Sequence, residues 1–188
     1  MTEVKVLVEG YSKWLSESKL KASSTVTLIK DSGKNIIVDT GSITVEQDII
    51  KRLKEKSLKP EDIDIVVNTH SHSDHRDNNH LFKKATIYVQ ENTIKGDIYE
   101  FFSIQRSMPL APNTRIIQTP GHSIDDISVL VETTKGVYAV VGDLYWYSQD
   151  DKPEFILDEV QLQESKKKVL VLADYVIPGH AGPFKIKK

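Results

Sequence analysis

Short apolar runs separated by turn residues recur along most of the chain, and this pattern predicts β-strands. In the first half the runs occupy residues 4–8, 24–29, 35–38 and 63–69, with a turn at residues 31–34 between the second and third. In the second half they occupy residues 85–89, 115–119, 127–131, 137–141 and 174–177. The sequence therefore predicts a protein rich in short strands.

Two segments carry a helical pattern instead. Residues 44–56 place Val45, Ile49, Ile50 and Leu53 on one face, and Ser42 or Thr44 is expected to cap the helix. A second helix is expected at residues 158–169, before the last strand. Strands followed by a helix, twice over, predict two layers of sheet flanked by helices.

Length, charge and residue usage narrow the class of protein. The 188 residues are expected to form a single domain spanning 1–188, with 25 basic and 27 acidic side chains giving a net charge of −2. That balance provides no overall attraction for polyanions. The chain has no cysteine, and none of its apolar runs reaches the roughly 18 residues of a membrane helix. We therefore expect a cytoplasmic protein without a membrane partner.

A cluster of metal-ligand residues follows one of the strand-like runs. After residues 63–69 come His70, His72, Asp74 and His75. In an extended stretch His70, His72 and Asp74 share one side, and a turn beginning at Asp74 would aim His75 at a neighbouring position. Imidazole nitrogen and carboxylate oxygen suit zinc, and also iron or manganese. This segment predicts a metal site.

Three further segments repeat the order of strand, glycine and ligand-type residue. They end in Gly121-His122, Gly142-Asp143 and Gly179-His180. Each glycine allows the backbone to turn where its strand ends. His80 is the one histidine outside this pattern, and we interpret it as a surface or helix residue.

Together these segments resemble the metallo-β-lactamase-fold hydrolases, a superfamily that includes glyoxalase II, lactonases, tRNA-processing nucleases and persulfide dioxygenases. The similarity covers residues 25–180 and includes the signature at residues 38–41. The later segments follow His75 in the family's order, at intervals of 47, 21 and 37 residues. The resemblance implies a minimal single-domain α+β protein, a four-layer αβ/βα sandwich with its ligand loops along one edge.

Carried over residue by residue, the resemblance implies two divalent metal ions, most simply zinc. The first would be bound by His70, His72 and His122, the second by Asp74, His75 and His180, with Asp143 bridging both. Asp39 would hydrogen-bond a ligand and orient it. Ser123 would do the same or else form a local turn bond. The absence of cysteine excludes the true β-lactamases that use cysteine in the second site.

Such a pair of metals would hold a bridging hydroxide for hydrolysis, positioned by Asp74 and Asp143. No Gly-x-Ser-x-Gly turn supports a serine mechanism. Our first hypothesis is a hydrolase of a small ester, thioester or lactone. Tyr145 and Tyr147 are candidate substrate contacts, and their alternative is aromatic packing or a homodimer contact. Residues 91–113 are either a substrate lid or a helix packed on the core.

Other functions remain open on the same ligands. A nuclease or phosphodiesterase would need a basic track beside the site. Lysines at residues 83–84, 166–168 and 185–188 could contribute to one, but none interleaves with aromatic residues. Persulfide dioxygenases resemble this pattern but use one iron bound by two His and one Asp. A non-enzymatic metal-binding role is the least favoured, since seven ligands exceed what folding requires.

Overall fold

The computed structural model describes residues 2–187. Within that range the first half contains β1 (Glu3–Val8), β2 (Tyr11–Ser16), β3 (Lys19–Ser23), β4 (Val26–Asp31), β5 (Lys34–Val38), α1 (Glu46–Glu55), β6 (Ile65–Asn68), α2 (Ser73–Arg76), β7 (Thr86–Val89), β8 (Asn92–Lys95) and β9 (Ile98–Phe101). The second half contains β10 (Met108–Ala111), β11 (Thr114–Gln118), β12 (Ile127–Thr133), β13 (Gly136–Val140), α3 (Glu159–Leu172), β14 (Tyr175–Ile177) and β15 (Phe184–Lys185).

The strands form two large sheets and one separate hairpin. The first sheet has the order β1-β4-β5-β6-β7-β8-β9, and the second has the order β10-β11-β12-β13-β14-β15. Pairing is parallel between β5 and β6, between β6 and β7, and between β13 and β14, and antiparallel elsewhere. The hairpin β2–β3 stands apart from both sheets.

Three clusters of buried side chains define the layers. Ile29, Val38 and Val67 of the first sheet pack with Val129 and Val140 of the second, so the two sheets face each other across an apolar core. A second cluster joins the outer face of the first sheet to α1, and a third joins the outer face of the second sheet to α3. The order helix, sheet, sheet, helix confirms the predicted αβ/βα sandwich.

The details depart from the sequence predictions at three places. The predicted cap of α1 is wrong: the helix follows a short 3-10 turn at Ile43–Val45, neither Ser42 nor Thr44 bonds its amides, and their hydroxyls lie 2.8 Å apart. A helix within residues 91–113 is also wrong, because β8 and β9 extend the first sheet and β10 starts the second. The hairpin β2–β3 went unpredicted, since most of its residues are exposed and lack a core-facing alternation.

None of the helices in residues 2–187 combines the length and the apolar character that crossing a bilayer requires.

Candidate metal centre

The ligand-type side chains all follow strand ends at one edge of the sandwich. Asp39 follows β5, His70 follows β6, and His122 follows β11. Asp143 follows β13 and His180 follows β14. β5 and β6 run parallel, as do β13 and β14, so their carboxyl ends meet at the same edge. Topology therefore gathers residues that lie far apart in the sequence.

The histidine-rich segment changes conformation midway. His72 is still extended, with φ −63° and ψ 144°, but Ser73 begins the short helix α2. The expected alternation therefore holds only as far as His72. Asp74 lies on the helical turn, which separates it from His70 and His72 and places it beside His75.

One group of ligand atoms consists of His70, His72, His122 and Asp143. The distance between His70 Nε2 and His72 Nδ1 is 3.0 Å, and that between His72 Nδ1 and His122 Nε2 is 3.2 Å. His122 Nε2 lies 3.4 Å from Asp143 Oδ2. Three imidazole nitrogens and one carboxylate oxygen thus face a common point.

The second group consists of Asp74, His75 and His180. The other oxygen of Asp143, Oδ1, lies 3.2 Å from the Nε2 atoms of both His75 and His180. Asp74 Oδ2 lies 3.9 Å from the same two nitrogens. Asp143 consequently stands between the groups, with one oxygen directed to each.

Two glycines allow Asp143 to occupy this position. A Cβ atom on Gly142, whose φ is +51°, would collide with the hydroxyl of Thr69. A Cβ atom on Gly179 would collide with Asp143 Oδ1. The glycines read from the sequence as turn residues are therefore also required by close packing around the carboxylate.

Asp39 holds the ligands in place through a buried hydrogen-bond network. Its Oδ2 lies 2.8 Å from His75 Nδ1 and accepts the Thr69 hydroxyl at 2.9 Å, while its Oδ1 accepts the Thr69 amide at 2.8 Å. The Thr69 hydroxyl also contacts His70 Nδ1 at 3.1 Å. Asp39 has a φ of +55°, uncommon for a residue with a side chain. Backbone strain of this kind is often found at functional sites.

Burial and charge perturb the two groups in opposite directions. Burial, with a further contribution from His75, holds the pKa of His70 well below its usual value, and burial also lowers the pKa of His122. Burial lowers the pKa of His75 too, but Asp39 and Asp143 outweigh it and raise that pKa well above normal. Despite its burial, Asp143 has a pKa held well below normal by His75 and His180. The second group thus favours positive charge.

Several buried atoms in this cluster lack hydrogen-bond partners among the described residues. These include His75 Nε2 and Asp143 Oδ1, which lie close together without acceptable hydrogen-bond geometry. Ligands about 2.0–2.1 Å from a tetrahedral zinc lie about 3.3 Å from each other, which matches the separations of 3.0–3.4 Å found here. A buried polar atom without a partner is costly. The donor set therefore fits divalent cations better than mutual hydrogen bonding.

Three side chains that were expected to contact a ligand residue or the substrate make other contacts instead. Ser123 Oγ donates to Asp125 and Asp126, so the local turn bond is the one present. Tyr145 is fully buried beside Phe184 and Lys166 and cannot line the cleft. The Tyr147 hydroxyl donates to the Ser12 carbonyl at 3.1 Å. After the turn at Gly142–Leu144 the chain is extended at Tyr145, so consecutive side chains point to opposite sides.

Of the three consecutive aromatics at residues 145–147, Trp146 faces the cleft, and neither predicted tyrosine does. A cavity of about 370 Å³ lies over the ligand groups and is lined by His72, Asp74, His122, Asp143 and His180 together with Ser12, Leu20, Ala22, Ser73, Trp146 and Phe155. None of residues 91–113 borders this cavity. His80 is exposed and lies 3.2 Å from Glu46, as expected for a surface residue.

Asp126 is a further residue of this site that the sequence analysis did not indicate. Its carboxylate accepts the Ser123 hydroxyl at 2.7 Å and lies 4.0 Å from His70 Nδ1. Burial raises the pKa of Asp126 to about 7. Asp126 lies where it supports both the ligand His70 and the turn that follows His122, and no spacing rule in the sequence indicates this position.

Known proteins resemble this chain in sequence and in fold. The model of the Metallo-beta-lactamase superfamily matches residues 21–180. Metallo-beta-lactamase domain-containing protein 1 of Xenopus laevis is 33% identical over 98% of this chain and 82% of its own length. A probable metallo-hydrolase of Methanocaldococcus jannaschii is 40% identical over 78% of this chain and 71% of its own. A crystal structure of a candidate metallo-beta-lactamase from Thermotoga maritima superposes with a TM-score of 0.80 at 21% identity, covering 98% of this chain and 99% of that one.

Proposed function

The chain belongs to the metallo-beta-lactamase superfamily as a metallo-hydrolase, and we propose that it hydrolyses small esters, thioesters or lactones at a dinuclear metal centre. The observation that carries the proposal is the position of Asp143, whose two carboxylate oxygens face two separate ligand groups. A site for a single ion would need only one of those groups.

The residues of the first group, His70, His72 and His122, would hold one ion, and Asp74, His75 and His180 would hold the other, with Asp143 shared. Zinc is the expected metal, and iron or manganese suits the same donors. When bound, such ions lower the pKa of a water molecule toward neutrality and polarise a substrate oxygen.

The protein's own groups would orient the reactants. Asp74 borders the cavity and is partly accessible, so its carboxylate can accept a proton or hydrogen bond from a water molecule in the cleft. Asp39 fixes the ring of His75 through Nδ1 and leaves Nε2 directed to the centre. Trp146 and Phe155 cover one side of the cavity and reduce the access of bulk water.

The lining of the cavity supports a small, partly apolar substrate. Beside the ligands it contains Leu20, Ala22, Trp146 and Phe155, and no lysine or arginine of residues 2–187 borders it. A volume of about 370 Å³ falls in the range of small-molecule sites, about 300–1,000 Å³. A carbonyl substrate with an apolar substituent fits this lining better than a polyanion does.

A nuclease would use the same ligands but needs cations near them. None of the described lysines considered for that role borders the cavity: Lys166 is buried against Tyr145 and Asp151, and Lys168 donates to the Gln118 carbonyl. Lys188 lies outside the described residues. A persulfide dioxygenase would need only one iron with two His and one Asp, fewer ligands than converge here. Neither alternative accounts for both the ligand set and the lining.

The test is a substrate panel on protein loaded with zinc, manganese or iron. A thioester, a lactone, a phosphodiester such as bis-p-nitrophenyl phosphate and a short RNA are compared at matched metal content, each at low and high salt. We expect carbonyl substrates to be turned over faster, with weak salt dependence. Faster, salt-sensitive cleavage of RNA would overturn the proposal and favour the nuclease.

A further inference from the structure

The hairpin β2–β3 turns one face toward the metal centre. In its register Ser12 pairs with Ala22 and Trp14 pairs with Leu20, so these four side chains share a face. Ser12, Leu20 and Ala22 line the cavity. The hairpin belongs to neither large sheet, so its exposed apolar residues do not serve the main core.

The opposite wall of the cavity comes from Trp146 and Phe155, within the segment of residues 145–157. Trp146 is 5% exposed and packs edge-to-face on the ligand His180, with ring centroids 5.3 Å apart. Phe155 is 61% exposed and lies 6.3 Å from Trp146 and 6.2 Å from Trp14. The rings thus form a continuous series from a ligand at the bottom of the cavity to the tip of the hairpin.

Two hydrogen bonds fasten the walls to each other. Trp14 Nε1 donates to Glu154 Oε2 at 2.9 Å, and the Tyr147 hydroxyl donates to the Ser12 carbonyl at 3.1 Å. Phe155 has a φ of +56°, a costly conformation for an aromatic residue. Glu154 and the hairpin are therefore placed to hold the Phe155 ring over the cavity.

From this arrangement we propose that the groove between the β2–β3 hairpin and residues 145–157 binds the apolar acyl group of the substrate. The inference rests on the proposed hydrolase activity. With a substrate carbonyl at the ligands, an acyl chain leads outward between Leu20 on one side and Trp146 and Phe155 on the other. Leu20 and Phe155 are then the residues that determine acyl-chain length.

Turnover provides the first test. Zinc-loaded protein is assayed with p-nitrophenyl acetate, butyrate, hexanoate and octanoate. Burial of each added methylene should raise kcat/KM by up to about fourfold. The measured quantity is the ratio of kcat/KM for the octanoate ester to kcat/KM for the acetate ester. Phe155→Asn, chosen because Asn tolerates positive φ, and Leu20→Ser should each lower this ratio at least about tenfold. The matched control, Phe101→Ala, removes an 82% exposed aromatic on β9 and should leave that ratio unchanged.

Binding provides a second readout that does not depend on catalysis. The chain has two tryptophans, and both contact the Phe155 ring, so intrinsic fluorescence reports on the groove. Octanoate should shift the emission of zinc-loaded protein at lower concentration than acetate does, and Phe155→Asn should abolish the difference. Leu20→Ser keeps both tryptophans and Phe155. The same loss in this variant would show that the effect does not come from the changed surroundings of the tryptophans in Phe155→Asn.

The two proposals fail separately. If no ester is hydrolysed but octanoate binds through Phe155 and Leu20, the acyl groove stands and the hydrolase assignment fails. If esters are hydrolysed with equal kcat/KM at all chain lengths, and acetate and octanoate perturb the fluorescence alike, the hydrolase stands and the acyl groove is wrong.

Discussion

Two buried polar clusters occupy opposite ends of the same strands. At one end of β4, Asp31 accepts hydrogen bonds from Asn113, Thr114 and Ser32 and thereby connects the first sheet to the second. At the other edge lies the candidate metal centre, where His75 Nε2 and Asp143 Oδ1 have no such partners in the described part of the chain. Both clusters contain a buried aspartate, but only Asp31 has hydrogen-bond donors for both of its carboxylate oxygens.

The difference separates a structural role from a functional one. Asp31 has donors for both oxygens, so its burial needs nothing beyond the protein. The two imidazoles nearest Asp143 Oδ1, those of His75 and His180, already direct Nδ1 to Asp39 and to the Ser23 carbonyl, so each would have to be protonated to donate from Nε2 to Asp143. A cation can replace those protons. We therefore infer that Asp31 serves folding and that Asp143 serves metal binding.

The largest effect is expected for Asp143→Asn. The substitution removes the charge shared by the two ligand groups, so hydrolysis should drop at least about a hundredfold, as for other preorganised charges in active sites. The measurement is kcat on the best ester of the panel. Folding should survive, which circular dichroism would verify. Full turnover with intact folding would show that Asp143 has no such role.

Asp39→Asn tests whether Asp39, through His75, supports metal binding by the second group. The amide cannot balance a charge on His75 as the carboxylate does, and loss of such outer hydrogen bonds costs about 10–100-fold in metal affinity. Competition with a chelator of known affinity measures this, independently of turnover. Asp31→Asn is the matched control, a buried aspartate at the other end of the sandwich, and should keep wild-type affinity. Equal affinity in all three proteins would contradict the role of Asp39.

Asp31→Ala should affect stability instead of chemistry. The change leaves the Asn113 amide and the Thr114 hydroxyl without an acceptor, which costs about 1–3 kcal/mol. Denaturant unfolding in the presence of a chelator would measure the loss. Metal content and turnover per folded molecule should match the wild type. A fall in metal content at 25 °C would break the distinction between the two clusters.

The smallest effect concerns pH. Burial opposes ionisation of Asp31, but hydrogen bonds from Asn113, Thr114 and Ser32 outweigh it and lower its pKa below 3.8. Its stabilisation is therefore fully present above the unfolded-state value and disappears as pH falls through the lower folded-state pKa. In chelator, the stability difference between wild type and Asp31→Asn should be constant from pH 7 to about pH 5 and shrink below about pH 4. A stability difference that grows on acidification would contradict the lowered pKa of Asp31.

The sequence predicted the fold, and the candidate ligand residues converge in the structure for a local reason. Each ligand follows a buried strand and, after the first segment, a glycine, and parallel strands bring such positions to one edge without further information. The grouping of Asp74 with His75 did not follow from alternation, because α2 begins at Ser73. It came from the resemblance to a family.

The residues that form the walls of the cavity could not be predicted from the sequence pattern. Nothing in Tyr145-Trp146-Tyr147 indicates which aromatic faces the cleft, since alternation fixes two sides but not which side is the core. The hairpin carrying Leu20 lacks a buried face, and Phe155 reaches the cavity through a loop with positive φ. Such features depend on tertiary contacts between segments about 140 residues apart, such as Trp14 with Glu154.

The most direct test of the central claim is anomalous diffraction from crystals grown with zinc. We expect two peaks per chain, one on each side of the Asp143 carboxylate. The first should be bound by His70 Nε2, His72 Nδ1 and His122 Nε2, and the second by Asp74, His75 and His180, at about 2.0–2.2 Å. A single peak, or peaks away from Asp143 at full zinc occupancy, would contradict the dinuclear centre.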